Sequence, residues 1–427
     1  MKKLLIISYD FPPAIAGVRR ILKWIKYLPE FGWQCSVLTV KEFKGEPRDA
    51  APLTWLKNKG VPVFRSFSLD PYFLLNRFVK RKKSANRVKN QASPEAKSVM
   101  NILRRWIFIP DDRCGWIPFA TIKGFFLIKK IKPDIILTTS YPHTAHIVGL
   151  KLKILTKIPW VADFRDAWTT NPVLFKPATP LHRMAQSGLE KWVAKRCDFL
   201  LSVSDPITNH FKNLDLPRKD KIVTLTNGYD EDDFQGLTPK KPEKFRIVYT
   251  GTIFGKRSAL SFFRAILKVV QKHPEWKDDM EALFYCALPE NIQKFIQENR
   301  LDSVIRIMGL CSYKQSLQNQ MNATVLALFI GLGPNSEVMM TQKVFEYLRT
   351  ARPILAMIPK GACRTLLTKF GDEYIADPED EGKIAHFLEE LYEKWKTGRM
   401  SAPNRNGIEK FERRNLTQRL AGYLDQL

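Results

Sequence analysis

The chain has 427 residues, more than one hydrophobic core usually supports, and this length predicts two domains. A composition of 44% hydrophobic and 11% aromatic residues excludes a disordered protein, and lysines interrupt the longest apolar stretches, so no transmembrane helix is predicted. The net charge of +26 favours a partner that carries phosphate, and the six scattered cysteines form no zinc-binding pattern and indicate a reducing cytoplasm.

Strand-like and helix-like segments alternate along the first half of the chain. The N-terminal run KKLLIIS is too short for a secretory signal and predicts a first buried strand. Amphipathic stretches at residues 19–29 and 143–156 predict helices. This alternation is typical of a parallel sheet with helices on both faces. The predicted strands are residues 4–8, 34–40, 134–139, 160–162, 199–203 and 221–225.

An insert at residues 44–113 breaks this alternation, and we predict that it is irregular or helical. Within it, residues 77–89 contain seven basic residues in thirteen, and residues 1–200 hold 36 Lys and Arg against 14 Asp and Glu. Such a basic surface attracts nucleic acid, anionic lipid or a lipid-linked diphosphate. A solvated loop without a partner is the alternative for the insert.

A second alternation follows the Pro- and Lys-rich linker at residues 235–244 and predicts a second doubly wound domain. We place the domains at residues 1–238 and 239–405, and we expect a C-terminal helix at residues 406–427 to pack back on the first domain. Open α/β sheets bind ligands at the carboxyl ends of their strands. The predicted strands of the second domain are residues 246–249, 280–287, 304–308, 324–329, 353–357 and 373–376.

Two loops at predicted strand ends in the first half carry candidate residues. Gly17 lies where a helix would begin, and a glycine there lets the backbone approach a phosphate or an acceptor; an ordinary turn is the alternative. Asp163, Arg165 and Asp166 follow another strand, and charges at that edge of a sheet are more often functional than structural. The alternative is an internal Asp–Arg pair that holds the loop.

His143 and His146 lie three residues apart at the start of a predicted helix, so both fall on roughly one helix face. They could contact an acceptor, cap the helix or have an ordinary structural role. The acidic run at residues 230–233 contains a DxD pattern, but its position after Asn227 and Gly228 indicates a solvated turn. No carboxylate or cysteine near the histidines completes a metal site, so we expect no metal.

Five motifs together resemble a known family. They are FPPAIAGVRR (residues 11–20), VADFRDAW (161–168), VTLTNGYDEDDF (223–234), YTGTIFGKRS (249–258) and QKVFEYLRTARPIL (342–355). In this order, over nearly the whole chain, they resemble bacterial glycosyltransferases of family 4. The resemblance implies the GT-B fold, in which two doubly wound Rossmann-like α/β domains face each other across a cleft. It also implies transfer of a sugar from a nucleotide donor with retention of configuration.

The turn after the first strand of the second domain is expected to hold the donor diphosphate. Gly251 and Thr252 form the turn, and relatives often carry an arginine where Thr252 stands. The diphosphate contact is therefore assigned to Arg257, with Lys256 as its rival, because arginine suits bidentate contacts to phosphate. Lys343, on a later helix, could replace the missing cation.

Glu346 matches the second glutamate of a pair that, in relatives, bonds the ribose hydroxyls of the donor. The first glutamate would fall at Val338, which is apolar, and a shifted loop could bring Glu337 to the donor sugar instead. A solvated helix residue is the alternative for Glu346. Leu310 and Tyr313 follow another strand and are placed to flank the base, although packing would be their ordinary role.

We predict that Arg165, Asp163, Asp166 and His146 form the catalytic set, without a cofactor or a metal. The donor would be a nucleotide-diphosphate sugar, and the acceptor a carbohydrate or lipid-linked molecule of cell-surface polysaccharide or glycolipid synthesis. We expect a cytoplasmic protein, peripheral on the inner membrane face through its basic N-terminal domain, with no nucleic-acid partner. The alternatives are a non-catalytic scaffold of the same fold, a same-fold sugar-nucleotide epimerase and, last, a nucleic-acid binder.

Overall fold

The computed structural model describes residues 1–14, 17–42, 49, 51–70, 106–253 and 259–427. The chain forms two compact units: the first contains Met1–Thr226 and Arg414–Leu427, and the second contains Asn227–Arg413. We predicted the first boundary at residue 238. The structure moves it to Thr226, because Tyr229 and Phe234 are buried in the core of the second unit.

The first unit contains a seven-stranded sheet in the order β3-β2-β1-β4-β5-β6-β7, and its paired strands are parallel. All six predicted strands are confirmed. The edge strand β3 was not predicted, because its four residues, VFRS, are only partly buried and show no strong apolar pattern. The strands are β1 (Lys2–Ile7), β2 (Trp33–Val40), β3 (Val63–Ser66), β4 (Ile135–Ser140), β5 (Trp160–Phe164), β6 (Phe199–Ser202) and β7 (Ile222–Thr224).

Helices connect these strands. The first helix buries Ile21, Trp24 and Ile25, which recur at helical spacing and pack on the sheet. The insert that we predicted to be irregular or helical contains a helix as well as strand β3. In the part of the first unit that the structure describes, the helices are α1 (Arg19–Tyr27), α2 (Ala51–Asn58), α3 (Ile117–Ile131), α4 (Thr144–Thr156), α5 (Pro180–Arg196) and α6 (Asp205–Asn213).

The second unit contains a six-stranded sheet in the order β10-β9-β8-β11-β12-β13, again with parallel pairs, and its six predicted strands are confirmed. The strands are β8 (Phe245–Thr250), β9 (Met280–Tyr285), β10 (Ile305–Ile307), β11 (Val325–Phe329), β12 (Ile354–Met357) and β13 (Ile375–Ala376). The helices are α7 (Glu231–Phe234), α8 (Leu260–Lys272), α9 (Glu290–Glu298), α10 (Tyr313–Met321), α11 (Lys343–Thr350), α12 (Ala362–Lys369) and α13 (Glu381–Lys396).

The last helix, α14 (Arg413–Leu424), returns to the first unit. Leu416, Leu420 and Leu424 are buried in the same core as Trp24 of α1, which confirms the predicted return of the C-terminal segment. In the described residues, short 3-10 helices lie at Leu28–Phe31, Cys114–Trp116, Lys219–Lys221, Pro274–Lys277, Ser336–Val338 and Ile408–Phe411. In the part of the chain that the structure describes, no helix is long and apolar enough to cross a bilayer.

Each sheet reverses its strand order at one place. In the first unit this switch point lies between β1 and β4, and in the second it lies between β8 and β11. Connections leave a crevice at the carboxyl ends of the strands at such a point, and open α/β sheets bind their ligands there. The loops that follow these strands carry most of the candidate residues.

Candidate functional site

Arg165 lies across the switch point of the first sheet. It follows β5, and its guanidinium donates to the carbonyl of Tyr141 after β4 at 2.8 Å and to the carbonyl of Gly17 after β1. Its Nε pairs with Asp166 at 3.3 Å. Gly17 has a φ of +71°, and a Cβ there would overlap the guanidinium. The structure thus brings Gly17, Arg165 and Asp166 together, and a ligand at the Gly17 turn would meet the arginine.

Asp163 does not reach this site, which corrects its predicted catalytic role. Its side chain is fully buried and pairs with the buried Arg20 through two contacts of 2.9 and 3.2 Å. The hydroxyl of Thr139 also donates to Asp163 at 2.7 Å. The internal Asp–Arg pair that we kept as the alternative therefore exists, although its arginine is Arg20 rather than Arg165. Asp163 fixes the first helix against the sheet.

Arg20 was missed as a structural residue, although the sequence carried a signal for it. It lies on the buried face of α1 one turn before Trp24, and its guanidinium stacks 4.6 Å from that ring. It also donates to the carbonyls of Leu225 and Thr226 at 2.8 and 2.7 Å. A cation on the apolar face of a helix needs a buried acceptor, and Asp163 supplies it.

His146 was predicted to be catalytic, and the structure contradicts this. The side chain has no exposed surface, its Nδ1 lies 2.8 Å from the hydroxyl of Thr138, and its ring packs 4.4 Å from the ring of Phe164. Burial lowers its pKa well below the usual value, so the ring is neutral. A substrate cannot touch a side chain in this position, and the structural alternative is the one observed.

His143 lies beside a cavity of about 550 Å³ in the first unit. Its ring stacks on Trp168 with a centroid distance of 4.6 Å, and burial lowers its pKa to about 3. Tyr141 lines the same cavity and accepts from Arg165, so the cavity adjoins the arginine. The lining consists of residues 108–112, Tyr141, His143, Trp168, residues 173–177, His182 and Gln186. We assign this cavity as the candidate acceptor site.

Asp111 forms part of the cavity wall and was missed in the sequence. It accepts from the backbone N–H and hydroxyl of Thr144 at 2.9 and 2.7 Å, so it caps the first turn of α4. Burial raises its pKa to about 6. The capping residue lies 33 positions before Thr144 in the chain, and local sequence patterns do not reveal such a pair.

In the second unit, Lys343 lies beside the turn after β8. Gly251 has a φ of +137°, and a Cβ there would overlap the end of the Lys343 side chain. The ammonium group also lies 5.2 Å from the ring of Tyr249. The structure therefore places this cation at the turn where a replacement was expected, and its contact with a diphosphate stays a prediction.

Three other residues were predicted to act at this turn. Thr252 is exposed, and its carbonyl accepts from the hydroxyl of Tyr249 at 2.9 Å. Lys256 and Arg257 lie outside the described residues, as does the basic run at residues 77–89. Their assigned contacts with phosphate stay predictions.

Glu346 is buried in a network of neutral donors, which excludes the solvated alternative. Its side chain is 3% exposed and accepts from Tyr313 and Gln342 at 3.1 Å each and from Gln320 at 3.3 Å. Gln320 also donates to Thr250, the last residue of β8, at 3.1 Å. The network therefore holds the carboxylate in a fixed position and links it to the Gly251 turn.

Two further predicted residues lie at the same edge of the second sheet. Glu337 is exposed in the 3-10 helix after β11, with its backbone against Gly361, whereas Val338 is buried. Leu310 follows β10 and is 78% exposed. Both positions allow the predicted contacts with a donor, and both contacts stay predictions.

The acidic run at residues 230–233 has structural partners. Asp230 caps the short helix α7 through the N–H of Asp232 at 3.0 Å, and Glu231 pairs with Arg349 at 2.7 Å. Asp230 is buried, so the predicted solvated turn is wrong for that residue. Over the described ranges, no cluster of three His, Cys, Asp or Glu side chains is arranged to hold a metal ion.

The model of glycosyltransferase family 4 matches residues 17–233, whereas no curated protein sequence matches the chain. A glycosyltransferase from Rickettsia africae matches in structure with a TM-score of 0.66 and 14% identity, over 100% of this chain and 99% of that one. The structure of Anabaena HepE in complex with UDP and glucose matches with a TM-score of 0.62 and 13% identity, over 100% of both chains. The structure of the UDP-GlcNAc 2-epimerase of Neisseria meningitidis matches with a TM-score of 0.56 and 13% identity, also over 100% of both chains. At these identities, the structural likenesses show the fold alone.

Proposed function

The chain belongs to glycosyltransferase family 4, and on that premise we propose that it transfers a sugar from a nucleotide-diphosphate sugar to a carbohydrate or lipid-linked acceptor. The transfer retains the configuration of the anomeric carbon and serves the synthesis of a cell-surface polysaccharide or glycolipid. The observation that carries the proposal is that one helix brings two charged groups to the switch point of the second sheet. They are a carboxylate in a fixed position, Glu346, and a cation, Lys343.

The two charged groups of α11 suit the two halves of a nucleoside diphosphate. A carboxylate accepts hydrogen bonds only, so Glu346 fits the adjacent hydroxyls of a ribose. Lys343 lies three residues earlier, on the same side of the helix, and its ammonium fits the diphosphate at the Gly251 turn. HepE, a protein of the same fold, has been crystallised with UDP-glucose.

The proposed chemistry is electrostatic. As the bond from the sugar to the diphosphate breaks, negative charge grows on the leaving phosphate, and Lys343 with the first N–H groups of α11 stabilises it. We propose front-face transfer, in which the leaving phosphate takes the proton of the acceptor hydroxyl. In the first unit, Arg165 and Asp166 lie beside the cavity and would orient the acceptor.

The test is calorimetric binding of a panel of nucleoside diphosphates to the wild type, Glu346→Gln and Glu298→Gln. Glu298 is an exposed carboxylate at the end of α9 and serves as the matched control. We expect one diphosphate to bind, and Glu346→Gln to weaken it about 10- to 100-fold, because hydrogen bonds to a charged group are worth about 1.5–3 kcal/mol. The control should bind like the wild type.

Transfer assays with the matching nucleotide sugar complete the test. Product formation that needs an acceptor, with the anomeric configuration read by NMR, supports retaining transfer. Binding without transfer would favour the non-catalytic scaffold, which Thr252 and the buried Val338 already suggest as the second candidate. Absence of any diphosphate binding by the folded protein would refute the donor site.

A further inference from the structure

Exposed apolar side chains concentrate in one part of the first unit. In the described residues, eighteen large hydrophobic side chains are substantially exposed, and eleven of them lie between Trp106 and Trp192. Scattered exposed apolar residues are normal on a protein surface. A concentration of this kind marks an interaction surface instead.

The exposed residues recur on three neighbouring helices. On α3, Ile122 and Phe126 lie one turn apart and are 59% and 63% exposed. On α5, Leu181 and Met184 are 73% and 68% exposed, and Trp192 continues the row two turns later at 44%. On α4, two exposed hydrophobic residues lie near the C-terminal end of the helix. This helix packs against α3 and also contacts α5. One continuous face therefore presents apolar side chains to solvent.

On the opposite face of the sheet, the two described helices between β1 and β3 carry no such side chains. α3, α4 and α5 carry the chain in one direction along the sheet, from β3 towards β6, whereas α1 and α2 carry it in the other direction, from β1 to β3. Because parallel crossovers are right-handed, the two groups of helices cover opposite faces. Neither α1 nor α2 contributes a large exposed hydrophobic residue.

The charges that α3, α4 and α5 expose are positive, although one of their cations, Lys153, is paired with Asp198 at 2.6 Å. Within the three helices, Glu190 is the one acidic residue; it is 2% exposed and accepts from Thr169 at 2.6 Å and from His210 at 3.1 Å. Its charge is therefore turned inward. The nine basic residues are Lys123, Lys129, Lys130, Lys151, Lys153, Arg183, Lys191, Lys195 and Arg196.

We propose that the face formed by α3, α4 and α5 docks on a lipid bilayer with anionic headgroups. Apolar side chains between lysines and arginines are typical of helices that lie in the interface of a membrane, where the rings and aliphatic chains enter the headgroup boundary. The cations face the lipid phosphates, which attract them from solution. A nucleic acid would use the cations but would leave the apolar row exposed to water.

The docked face continues into the candidate acceptor cavity. Val173 and Leu174 are 42% and 46% exposed, and both also line that cavity. His182 on α5 lines it as well, and its Nε2 donates to the carbonyl of Trp106, another exposed residue, at 3.0 Å. A lipid-linked acceptor in the bilayer would therefore reach the cavity from the docked side. This last step rests on the proposed transferase function, whereas the docking itself does not.

The experiment is co-sedimentation of the full chain with vesicles of phosphatidylcholine, with and without phosphatidylglycerol. The apolar variant is Phe126→Ser with Leu181→Ser and Met184→Ser, and the charge variant is Lys123→Glu with Lys191→Glu. The matched control, Lys57→Glu with Lys59→Glu, makes the same charge change on exposed residues in and after α2. Circular dichroism checks folding, and diphosphate binding by the second unit checks the donor site separately.

We expect the wild type to bind the anionic vesicles at low salt, and each variant of the α3–α5 face to bind them at least about tenfold more weakly. The control should bind like the wild type. Three results would overturn the proposal. The first is no vesicle binding by the wild type, and the second is unchanged vesicle binding by both variants. The third is a wild-type protein that forms a dimer and does not bind vesicles, with the dimer lost in the apolar variant. The last result would assign the face to a second copy of the chain. Loss of diphosphate binding would leave the vesicle result standing.

Discussion

His143 and His146 should make the stability of the first unit depend on pH. Burial lowers the pKa of His143 to about 3 and the pKa of His146 well below its usual value, whereas both unfolded side chains titrate near 6.5. Below pH 6.5, the two histidines bind protons in the unfolded chain but not in the folded unit. The stability due to the neutral histidines is therefore complete above 6.5 and is lost as the pH falls towards the folded pKa values.

The size of the effect follows from these values. Between about pH 7.5 and about pH 5.5, each buried histidine should lower the free energy of unfolding by about 1–2 kcal/mol. Asp111 acts in the opposite direction, because burial raises its pKa from 3.8 to about 6. Protonation of folded Asp111 over the same pH range raises the free energy of unfolding by roughly 1 kcal/mol. Over this pH range, the three groups together should lower the free energy of unfolding of the first unit by about 2 kcal/mol.

The assay is urea unfolding at the two pH values, followed by hydrogen exchange in peptides from β4 and β5, which belong to the first unit. His143→Phe and His146→Phe should each reduce the pH-dependent difference in the free energy of unfolding by about 1–2 kcal/mol. Any packing defect that is independent of pH cancels in this difference. His386, exposed on α13 of the second unit, is the control, and His386→Gln should change nothing. An unchanged pH dependence in both Phe variants, or an NMR titration of either histidine near 6.5, would refute the reasoning.

Two further substitutions test other parts of the structure. Arg20→Met should destabilise the first unit by about 3–5 kcal/mol, because it leaves the carboxylate of Asp163 buried without its partner; urea unfolding measures the loss, and Arg20→Met with Asp163→Leu should recover much of it. Tyr313→Phe removes one donor to Glu346 and should weaken nucleoside diphosphate binding about fivefold, or about 1 kcal/mol, by calorimetry, with no change in fold. Equal binding by Tyr313→Phe would show that the hydroxyl does not position Glu346.

The two sheets were predictable because their strands are buried on both faces and appear as short apolar runs between helix-length segments. All twelve predicted strands exist. Strand β3 was not predictable in this way, because an edge strand of four partly buried residues needs little apolar sequence. The domain boundary moved for a related reason: Tyr229 and Phe234 follow the last strand of the first unit, and nothing local indicates that they join the second core.

The candidate sites were predictable where a residue lies directly after a strand. Arg165, Gly251 and Glu346 lie near the carboxyl edges that the strand pattern already defined. The sequence could not separate a residue that faces this edge from one that points into the sheet. Asp163 and Arg165 stand two positions apart, yet one is fully buried against Arg20 and the other meets Gly17 and Tyr141. That difference depends on a partner 143 positions away in the chain.

Arg165 connects the geometry of the first unit with the chemistry proposed for it. Three of its donor contacts are to the carbonyls of Gly17 and Tyr141 and to the carboxylate of Asp166, so the guanidinium is held at the switch point before any ligand arrives. Unlike a histidine, an arginine does not change its charge near neutral pH. A permanent cation beside the acceptor cavity suits an acceptor that itself carries a phosphate, such as a lipid-linked diphosphate. The arginine therefore favours the lipid-linked form of the proposed acceptor over a neutral carbohydrate.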